Sequence, residues 1–157
     1  MAIDRPDRTD RAGDQGAVDL LYVADDADNL ELTLQALKKH GIVTRMHHAR
    51  DGAAAMEFLA GTGVAVNAET GLRLILIDLE RPGVSGPDVL RRVRADERTR
   101  TVPVAILSSS SERTALEEAY ALGVNSYVVK PADADACMDV VGRTCRYWMV
   151  LNEPVRG

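Results

Sequence analysis

Apolar runs alternate with segments of helical period along the chain, and the alternation repeats five times. Continuous apolar runs, rather than strictly alternating ones, are typical of parallel strands that are covered on both faces. The second run is the most polar of the set and suits a strand at the edge of a sheet. The runs are VDLLYVA (Val18–Ala24), GIVTRMHHA (Gly41–Ala49), LRLILID (Leu72–Asp78), VPVAILS (Val102–Ser108) and SYVVK (Ser126–Lys130).

The segments between these runs carry helix signals. Leu30, Leu34 and Leu37 form one apolar stripe, and Gly41 follows as a C-cap. The last helix is predicted to start near Asp133. Five strand–helix units with right-handed crossovers predict an α/β fold of the (βα)5 type. We expect a doubly wound, flavodoxin-like parallel sheet with strand order 2-1-3-4-5.

Length and composition indicate one ordinary domain with short tails. The chain has 157 residues, 46% of them hydrophobic, and we expect a domain over residues 18–151. Residues 1–17 are polar and charged, so they predict a disordered tail rather than a signal peptide, and residues 152–157 form a short C-terminal tail. Only these few residues follow the last helix, so no output domain is expected after it.

Charge and cysteine content narrow the partners and the compartment. The net charge of −5 argues against direct nucleic-acid binding, and no apolar run is long enough for a membrane span. Cys137 and Cys145 lie eight residues apart on the predicted last helix, which is too far for a disulfide. Free thiols without a signal sequence predict a cytoplasmic protein.

Polar residues stand where the predicted strands end. Asp25 and Asp26 follow the first strand, Asp78 ends the third, Ser108 ends the fourth and Lys130 ends the fifth. Because these ends share one edge of a parallel sheet, the five side chains should converge on one crevice. Clustered carboxylates need a cation, and oxygen ligands favour Mg²⁺. A carboxylate that stays ionised there can attack phosphorus and form an aspartyl phosphate.

These motifs resemble the receiver domain of two-component response regulators. The matching pieces are VADD, LILIDLERPGVSG, VAILSSSS and YVVKP, in this order on the expected strands. The intervals from Asp78 to Ser108 and to Lys130 agree with the receiver pattern, as do Pro82 and Gly86. The resemblance implies that Asp78 is the phosphoacceptor, Ser108 the switch hydroxyl and Lys130 the partner of the phosphoryl group.

The same resemblance implies further roles. Asp25 would be a direct metal ligand together with Asp78, and the backbone carbonyl of Glu80 would complete the metal shell. Tyr127 would be the switch aromatic, which moves inward on phosphorylation; the alternative is a half-exposed strand tyrosine without coupled motion. Lys130 and Pro131 would be joined by the cis peptide bond typical of the family.

One departure from the receiver pattern concerns the metal. Ala24 stands where the family has the first acid of its acidic pair, and Asp25 stands at the second. Asp26, one position beyond, is the candidate replacement; otherwise it is an ordinary helix cap. We therefore predict weaker Mg²⁺ binding than is usual. The resemblance also implies that Glu80 and Ser110 flank the water that attacks the phosphoryl group, and we expect them to set the lifetime of the phosphoryl group.

A narrower resemblance concerns small stand-alone regulators that are paired with phytochrome histidine kinases. It rests on ADNLELTLQALKKHGI, LSSSSE and RYWMVLNEP. The partner would be a sensor histidine kinase. The last helix is apolar on more than one face, which indicates a homodimer through helix 4, strand 5 and helix 5, or else a tail folded back on its own subunit.

Two other functions compete with the phosphoacceptor reading. A pseudo-receiver would bind a partner without phosphorylation, and Ala24 favours it. A phosphate-ester hydrolase of another α/β class would need a second acid close after the nucleophile, whereas Leu79 and Glu80 follow Asp78. We expect a signalling protein with at most self-dephosphorylation, not an enzyme that turns over an outside substrate.

Overall fold

A five-stranded parallel sheet organises the protein. The computed structural model describes residues 18–61, 71–80 and 85–154, and the strand order is β2-β1-β3-β4-β5, which confirms the prediction. The elements are β1 Leu20–Ala24, α1 Ala27–Lys39, β2 Met46–Ala49, α2 Gly52–Ala60, β3 Leu74–Asp78, α3 Gly86–Ala95, β4 Val104–Ser108, α4 Arg113–Ala121, β5 Ser126–Val129, α5 Ala134–Arg146 and a π-helical turn Tyr147–Leu151.

Four of the five strands begin later than their apolar runs, and β5 begins with its run at Ser126. The largest difference is at the sheet edge, where the run Gly41–Ala49 yields only Met46–Ala49 as β2. Pairing between β1 and β2 starts at Leu20 opposite Met46, so the residues before Met46 have no partner strand within this register. The apolar pattern predicts burial, whereas the length of a strand depends on its neighbour.

The central strands divide the core into two layers. Side chains of β1 point alternately to opposite faces. Leu21 and Val23 pack with residues of α2 and α3 on one face, while Leu20, Tyr22 and Ala24 pack against α1 and α5 on the other. All five residues of β1 and of β3 are buried. The end of β3 is therefore covered from both sides.

Helix α1 buries only part of the predicted leucine stripe, since Leu37 is buried and Leu30 packs against the core. Its buried residues are Thr33, Ala36 and Leu37, whereas Leu34 is 42% exposed. The prediction for Leu34 was wrong because a threonine takes the core-facing position one residue earlier. The C-cap prediction is confirmed: Gly41 adopts φ +69, the left-handed conformation that glycine favours after a helix.

Side-chain caps fix where the helices start. Asp133 caps α5 by accepting a hydrogen bond from the backbone N–H of Ala136 at 2.9 Å, as predicted. At α3, Ser85 and Asp88 form a reciprocal capping box. Such caps are worth about 1 kcal/mol each.

Some predictions fall outside the described residues, including the disordered tail at 1–17 and the role of Pro82. Cys137 and Cys145 both lie on α5 as free, buried thiols, as the spacing predicted. A search of the described ranges finds no helix with the length and apolarity that a bilayer crossing requires.

Candidate phosphoacceptor site

Asp78 is a buried carboxylate at the carboxyl end of the central strand β3. Its side chain is only 2% exposed, and it lies opposite Ala24 in the pairing of β1 with β3. One carboxylate oxygen, Oδ1, accepts a hydrogen bond from Nζ of Lys130 at 2.6 Å. The other, Oδ2, accepts one from the hydroxyl of Tyr22 at 2.9 Å. Burial costs a carboxylate free energy, and these two donors offset only part of that cost.

Lys130 joins two carboxylates. Its Nζ lies 2.6 Å from Oδ1 of Asp78 and 2.6 Å from Oε2 of Glu80, and its side chain is 9% exposed. The Lys130 backbone N–H donates to the carbonyl of Ser108 at 2.8 Å, which fixes the end of β5 beside β4. The structure therefore brings Asp78 and Lys130 together as predicted, and it adds the Glu80 side chain to the group.

One ammonium shared by two carboxylates sets the electrostatics. Burial raises the pKa of Asp78, and the Glu80 charge raises it further, while hydrogen bonds from Lys130 and Tyr22 partly oppose the shift. Burial acts to lower the pKa of Lys130, but its hydrogen bonds to Asp78 and Glu80 prevail and raise it. Lys130 is therefore held as a cation at neutral pH, inside a group with one excess negative charge.

Tyr22 and Thr33 are site residues that sequence reasoning missed. The Thr33 hydroxyl, fully buried on α1, donates to the Tyr22 phenol oxygen at 3.0 Å. Tyr22 itself is fully buried, and burial together with the Asp78 charge raises its pKa, so the phenol stays protonated. A tyrosine inside an apolar strand requires a polar partner for its hydroxyl, and this was the available signal.

The two acids after β1 have different settings. Asp25 follows Ala24, the residue paired with Asp78, so it stands at the same edge of the sheet. Asp26 is the N-cap of α1, and its Oδ1 accepts a hydrogen bond from the backbone N–H of Asp28 at 2.7 Å. One oxygen of Asp26 is therefore engaged in helix capping, the ordinary role considered for it.

Ser108 and Tyr127 border a separate cavity beside the site. It has a volume of about 130 Å³ and is lined by residues of β3, α3, β4, α4 and β5. The Ser108 Oγ accepts a hydrogen bond from the backbone N–H of Ser110 at 3.1 Å. The Tyr127 hydroxyl donates to the carbonyl of Ser110 at 2.9 Å. A single short loop thus contacts both predicted switch residues.

Helix α4 begins without a side-chain cap. Ser109 and Glu112 have the spacing of a capping box, yet Glu112 is an N-cap without a side-chain bond. Ser109 instead donates to Oε1 of Glu80 at 3.1 Å. This contact links the loop after β4 to the loop after β3.

The predicted cis peptide bond was wrong. The bond between Lys130 and Pro131 is trans. The preference for trans before proline is small, about 0.5–1 kcal/mol, so the sequence motif alone does not impose either isomer.

The oxygen donors at this edge fit a hard divalent cation. Mg²⁺ is commonly held by one or two carboxylates, with waters and phosphate oxygens in its other positions. Asp25 and Asp78 supply two carboxylates at adjoining strand ends. Across the described ranges, no group of three or more His, Cys, Asp or Glu side chains is arranged to hold a metal. The two carboxylates match the number of protein side chains that Mg²⁺ commonly takes.

Comparison with known proteins identifies a family. Residues 20–142 match the response regulator receiver domain. The chain is 32% identical over 136 residues to the probable methanogenesis regulatory protein FilR2 of Methanothrix harundinacea. The aligned region covers 85% of this chain and 84% of that protein.

Solved structures agree with this assignment. The phosphorylated cyanobacterial phytochrome response regulator RcpA superposes with a TM-score of 0.75 at 27% identity, over 87% of this chain and 97% of that one. The Mn²⁺-bound form of response regulator Rcp1 gives a TM-score of 0.75 at 26% identity, over 88% of this chain and 99% of that one. These likenesses support the receiver fold.

Proposed function

Because the chain belongs to the family of response regulator receiver domains, we propose that Asp78 accepts a phosphoryl group from the phosphohistidine of a sensor histidine kinase. The observation that carries this proposal is the carboxylate of Asp78, 2% exposed at the end of β3 and bonded to Lys130 at 2.6 Å. A buried carboxylate beside a fixed cation suits attack on phosphorus, because the cation offsets the charge that the phosphoryl group brings.

The reaction needs few chemical groups. A carboxylate oxygen of Asp78 bonds to phosphorus while the bond from phosphorus to the donor nitrogen breaks, and the electron pair leaves with the imidazole. Lys130 then binds a phosphoryl oxygen, and the hydroxyl of Ser108 takes another after its hydrogen bond with Ser110 rearranges. Positioning and charge neutralisation supply the rate enhancement.

Mg²⁺ is the proposed cofactor, with Asp25, Asp78 and the backbone carbonyl of Glu80 as its ligands. When bound, the ion would neutralise charge on the phosphoryl oxygens. The role of Asp26 as a further ligand stays a prediction. Thermal stability titrated with Mg²⁺ tests the set, since a ligand of the folded state raises the melting temperature.

The matched variants are Asp25→Asn and Asp26→Asn. We expect the first to weaken the Mg²⁺ response strongly. Asparagine caps helices as well as aspartate does, so Asp26→Asn retains the α1 cap and removes only the charge. An unchanged Mg²⁺ response in Asp26→Asn would contradict Asp26 as the replacement for the acid missing at Ala24.

Incubation with acetyl phosphate and Mg²⁺, followed by intact mass, tests phosphorylation directly. The wild-type protein should gain the mass of one phosphoryl group, and Asp78→Asn should gain none. Asp139→Asn is the matched control, because Asp139 is an exposed α5 carboxylate and should not affect uptake. A wild-type mass that stays constant would remove the phosphoacceptor function.

The same experiment decides the competing pseudo-receiver function. Ala24 beside Asp78 favours that alternative, since the neighbouring strand supplies no carboxylate at this register. Binding without chemistry predicts no mass gain in any variant. A phosphate-ester hydrolase would instead release phosphate catalytically from small esters, which a turnover assay would detect.

Output is proposed to run through Ser108 and Tyr127. Once Ser108 turns toward the phosphoryl group, Tyr127 could enter the adjoining cavity only by giving up its bond to the Ser110 carbonyl. Hydrogen exchange across α4 and β5, with and without phosphodonor, measures this rearrangement. Identical exchange in both states would favour the alternative, an uncoupled strand tyrosine.

Receiver domains partner with histidine kinases, and a phytochrome kinase is the specific proposal for this chain. It rests on the similarity to RcpA, described as a phytochrome response regulator. We also propose a cytoplasmic location and no direct binding to nucleic acid or membranes. Phosphotransfer profiling against purified kinases checks the partner, and preferred transfer from a kinase of another sensor class would correct it.

A homodimer through α4, β5 and α5 is the last part of the proposal. Val129 on β5, and Tyr147 and Leu151 on the π-helical turn after α5, are all more than 40% exposed. A shallow depression between β5 and α5 adjoins them. Light scattering over a concentration series should show a dimer, and a monomer both with and without phosphodonor would exclude it.

A further inference from the structure

We propose that Tyr22 limits the lifetime of the phosphorylated state by stabilising the carboxylate of Asp78 as a leaving group. The inference rests on the proposed function, because it concerns the aspartyl phosphate formed there. Its observation is a buried chain of two hydrogen bonds, from Thr33 to Tyr22 at 3.0 Å and from Tyr22 to Asp78 Oδ2 at 2.9 Å.

The geometry gives the two oxygens of Asp78 different surroundings. Oδ1 receives its hydrogen bond from Lys130, whose other carboxylate partner, Glu80, is partly exposed. Oδ2 receives its bond from Tyr22, whose ring belongs to the closed layer between the sheet, α1 and α5. The phenol therefore reaches the carboxylate from inside the core, where water does not compete for the hydrogen bond.

Hydrolysis of the aspartyl phosphate returns charge to this carboxylate. The water oxygen forms a bond to phosphorus, and the bond between phosphorus and the Asp78 oxygen breaks. The electron pair stays with the carboxylate, and a water proton leaves with the phosphate or to solvent. Because carboxylate charge is shared by both oxygens, a donor on Oδ2 stabilises the leaving group whichever oxygen held the phosphoryl group.

A phosphorylated Asp78 is a weaker acceptor than the free carboxylate. The phenol of Tyr22 thus stabilises the transition state of hydrolysis more than the aspartyl phosphate that precedes it, which accelerates the step. Thr33 acts through Tyr22 as a positioning residue, since its hydroxyl fixes the phenol and strengthens it as a donor.

The test compares the decay of the phosphoryl group in the wild type and in Tyr22→Phe. Both are loaded with acetyl phosphate and Mg²⁺, freed of donor and followed by intact mass. A hydrogen bond to a charged acceptor typically changes an equilibrium by about tenfold or more, and only part of the charge has formed at the transition state. We expect the half-life to lengthen about tenfold in Tyr22→Phe. Tyr120→Phe, an exposed phenol on α4, should decay like the wild type.

Two substitutions of Thr33 separate donation from packing. Thr33→Val keeps the shape and loses the hydroxyl, so it should lengthen the half-life. Thr33→Ser keeps the hydroxyl and loses a methyl group, so it should restore wild-type decay although it packs less well. A purely structural role predicts the larger effect in Thr33→Ser, and this result would overturn the inference.

The outcomes separate this inference from the function on which it rests. A wild-type protein that takes up no phosphoryl group would overturn both. The role of Tyr22 alone would be overturned if the wild type is phosphorylated but its half-life is not clearly shorter than that of Tyr22→Phe. A half-life in Tyr22→Phe that is less than twofold longer than in the wild type is such a result. A longer half-life in Tyr22→Phe, rescue by Thr33→Ser and an unchanged Tyr120→Phe would establish it.

Discussion

Replacing Asp78 by asparagine should stabilise the fold at neutral pH. In the wild type, Asp78 and Glu80 share the single ammonium of Lys130, so the buried group carries one excess negative charge. Asparagine removes that charge and leaves Lys130 neutralised by Glu80 alone. Its amide oxygen can still accept the hydrogen bond from Lys130. Its amide NH2 group then takes the place of Oδ2 and can donate to the Tyr22 hydroxyl, whose own proton can turn to the Thr33 oxygen.

The structure sets the size of this effect. Burying a carboxylate costs several kcal/mol, and hydrogen bonds involving a charged group return about 1.5–3 kcal/mol each. Asp78 accepts two such bonds, at 2.6 and 2.9 Å, yet burial still raises its pKa, so the carboxylate remains a net cost. We expect Asp78→Asn to gain about 1–2 kcal/mol, a rise of about 2–8 °C in melting temperature.

The dependence on pH identifies the cause. Since the pKa of Asp78 is raised in the folded protein, its favourable contribution exists below the unfolded pKa of about 3.9 and is lost as the pH rises through the folded pKa. The advantage of Asp78→Asn should therefore be small near pH 4, grow with rising pH and level off above the folded pKa.

Urea unfolding at a series of pH values measures this advantage. Glu117→Gln is the control, because its ion pair with Arg113 is exposed and contributes little at any pH. Destabilisation by Asp78→Asn at pH 7, or a gain that does not change between pH 4 and pH 8, would refute the reasoning.

Three further predictions concern other charged side chains. Arg94 donates to three backbone carbonyls and to Asn125 at the opposite edge of the sheet, so Arg94→Met should cost about 2–3 kcal/mol in urea unfolding without slowing phosphorylation. Arg73 donates to two carbonyls at the end of the last helix, and Arg73→Met should speed hydrogen exchange there by roughly tenfold; unchanged exchange would contradict that anchoring. Glu80→Gln removes a negative charge beside Lys130, so phosphorylation by an anionic donor should accelerate roughly threefold to tenfold, and a slower rate would contradict this electrostatic role.

The fold could be predicted because it depends on patterns that are local in sequence. Apolar runs separated by helical segments, with glycine after α1, define a parallel sheet covered on both faces. The same topology places Asp78 and Lys130 at one edge, and their contact followed from strand order alone. Strand ends were less predictable, because they depend on where the neighbouring strand begins, as Met46 in β2 shows.

Contacts between distant residues were beyond the sequence patterns. In the sequence, Tyr22 looks like one more apolar residue of a core strand. Its hydrogen bond joins it to Asp78, 56 positions away. The leucine stripe gave no sign that Thr33 faces the core. The burial of Thr33 depends on its hydrogen bond to the Tyr22 hydroxyl, which the sequence of α1 does not indicate. Leu34 is exposed because Thr33, one residue earlier, takes the core-facing position. Two buried polar residues satisfy each other's hydrogen bonds, so neither residue taken alone predicts the contact.

The hydrogen bonds of Lys130 suggest how the proposed phosphorylation would reach the predicted switch. Lys130 now serves Asp78 and Glu80, and a phosphoryl group on Asp78 would add a third, more highly charged acceptor. Glu80 would then lose part of its hold on the ammonium, while it remains bonded to the loop after β4. That loop also supplies the Ser110 carbonyl to Tyr127. A change in the hydrogen bonds of Lys130 would thus be transmitted to Ser110, whose carbonyl must release Tyr127. The contacts along this route are each 3.1 Å or shorter.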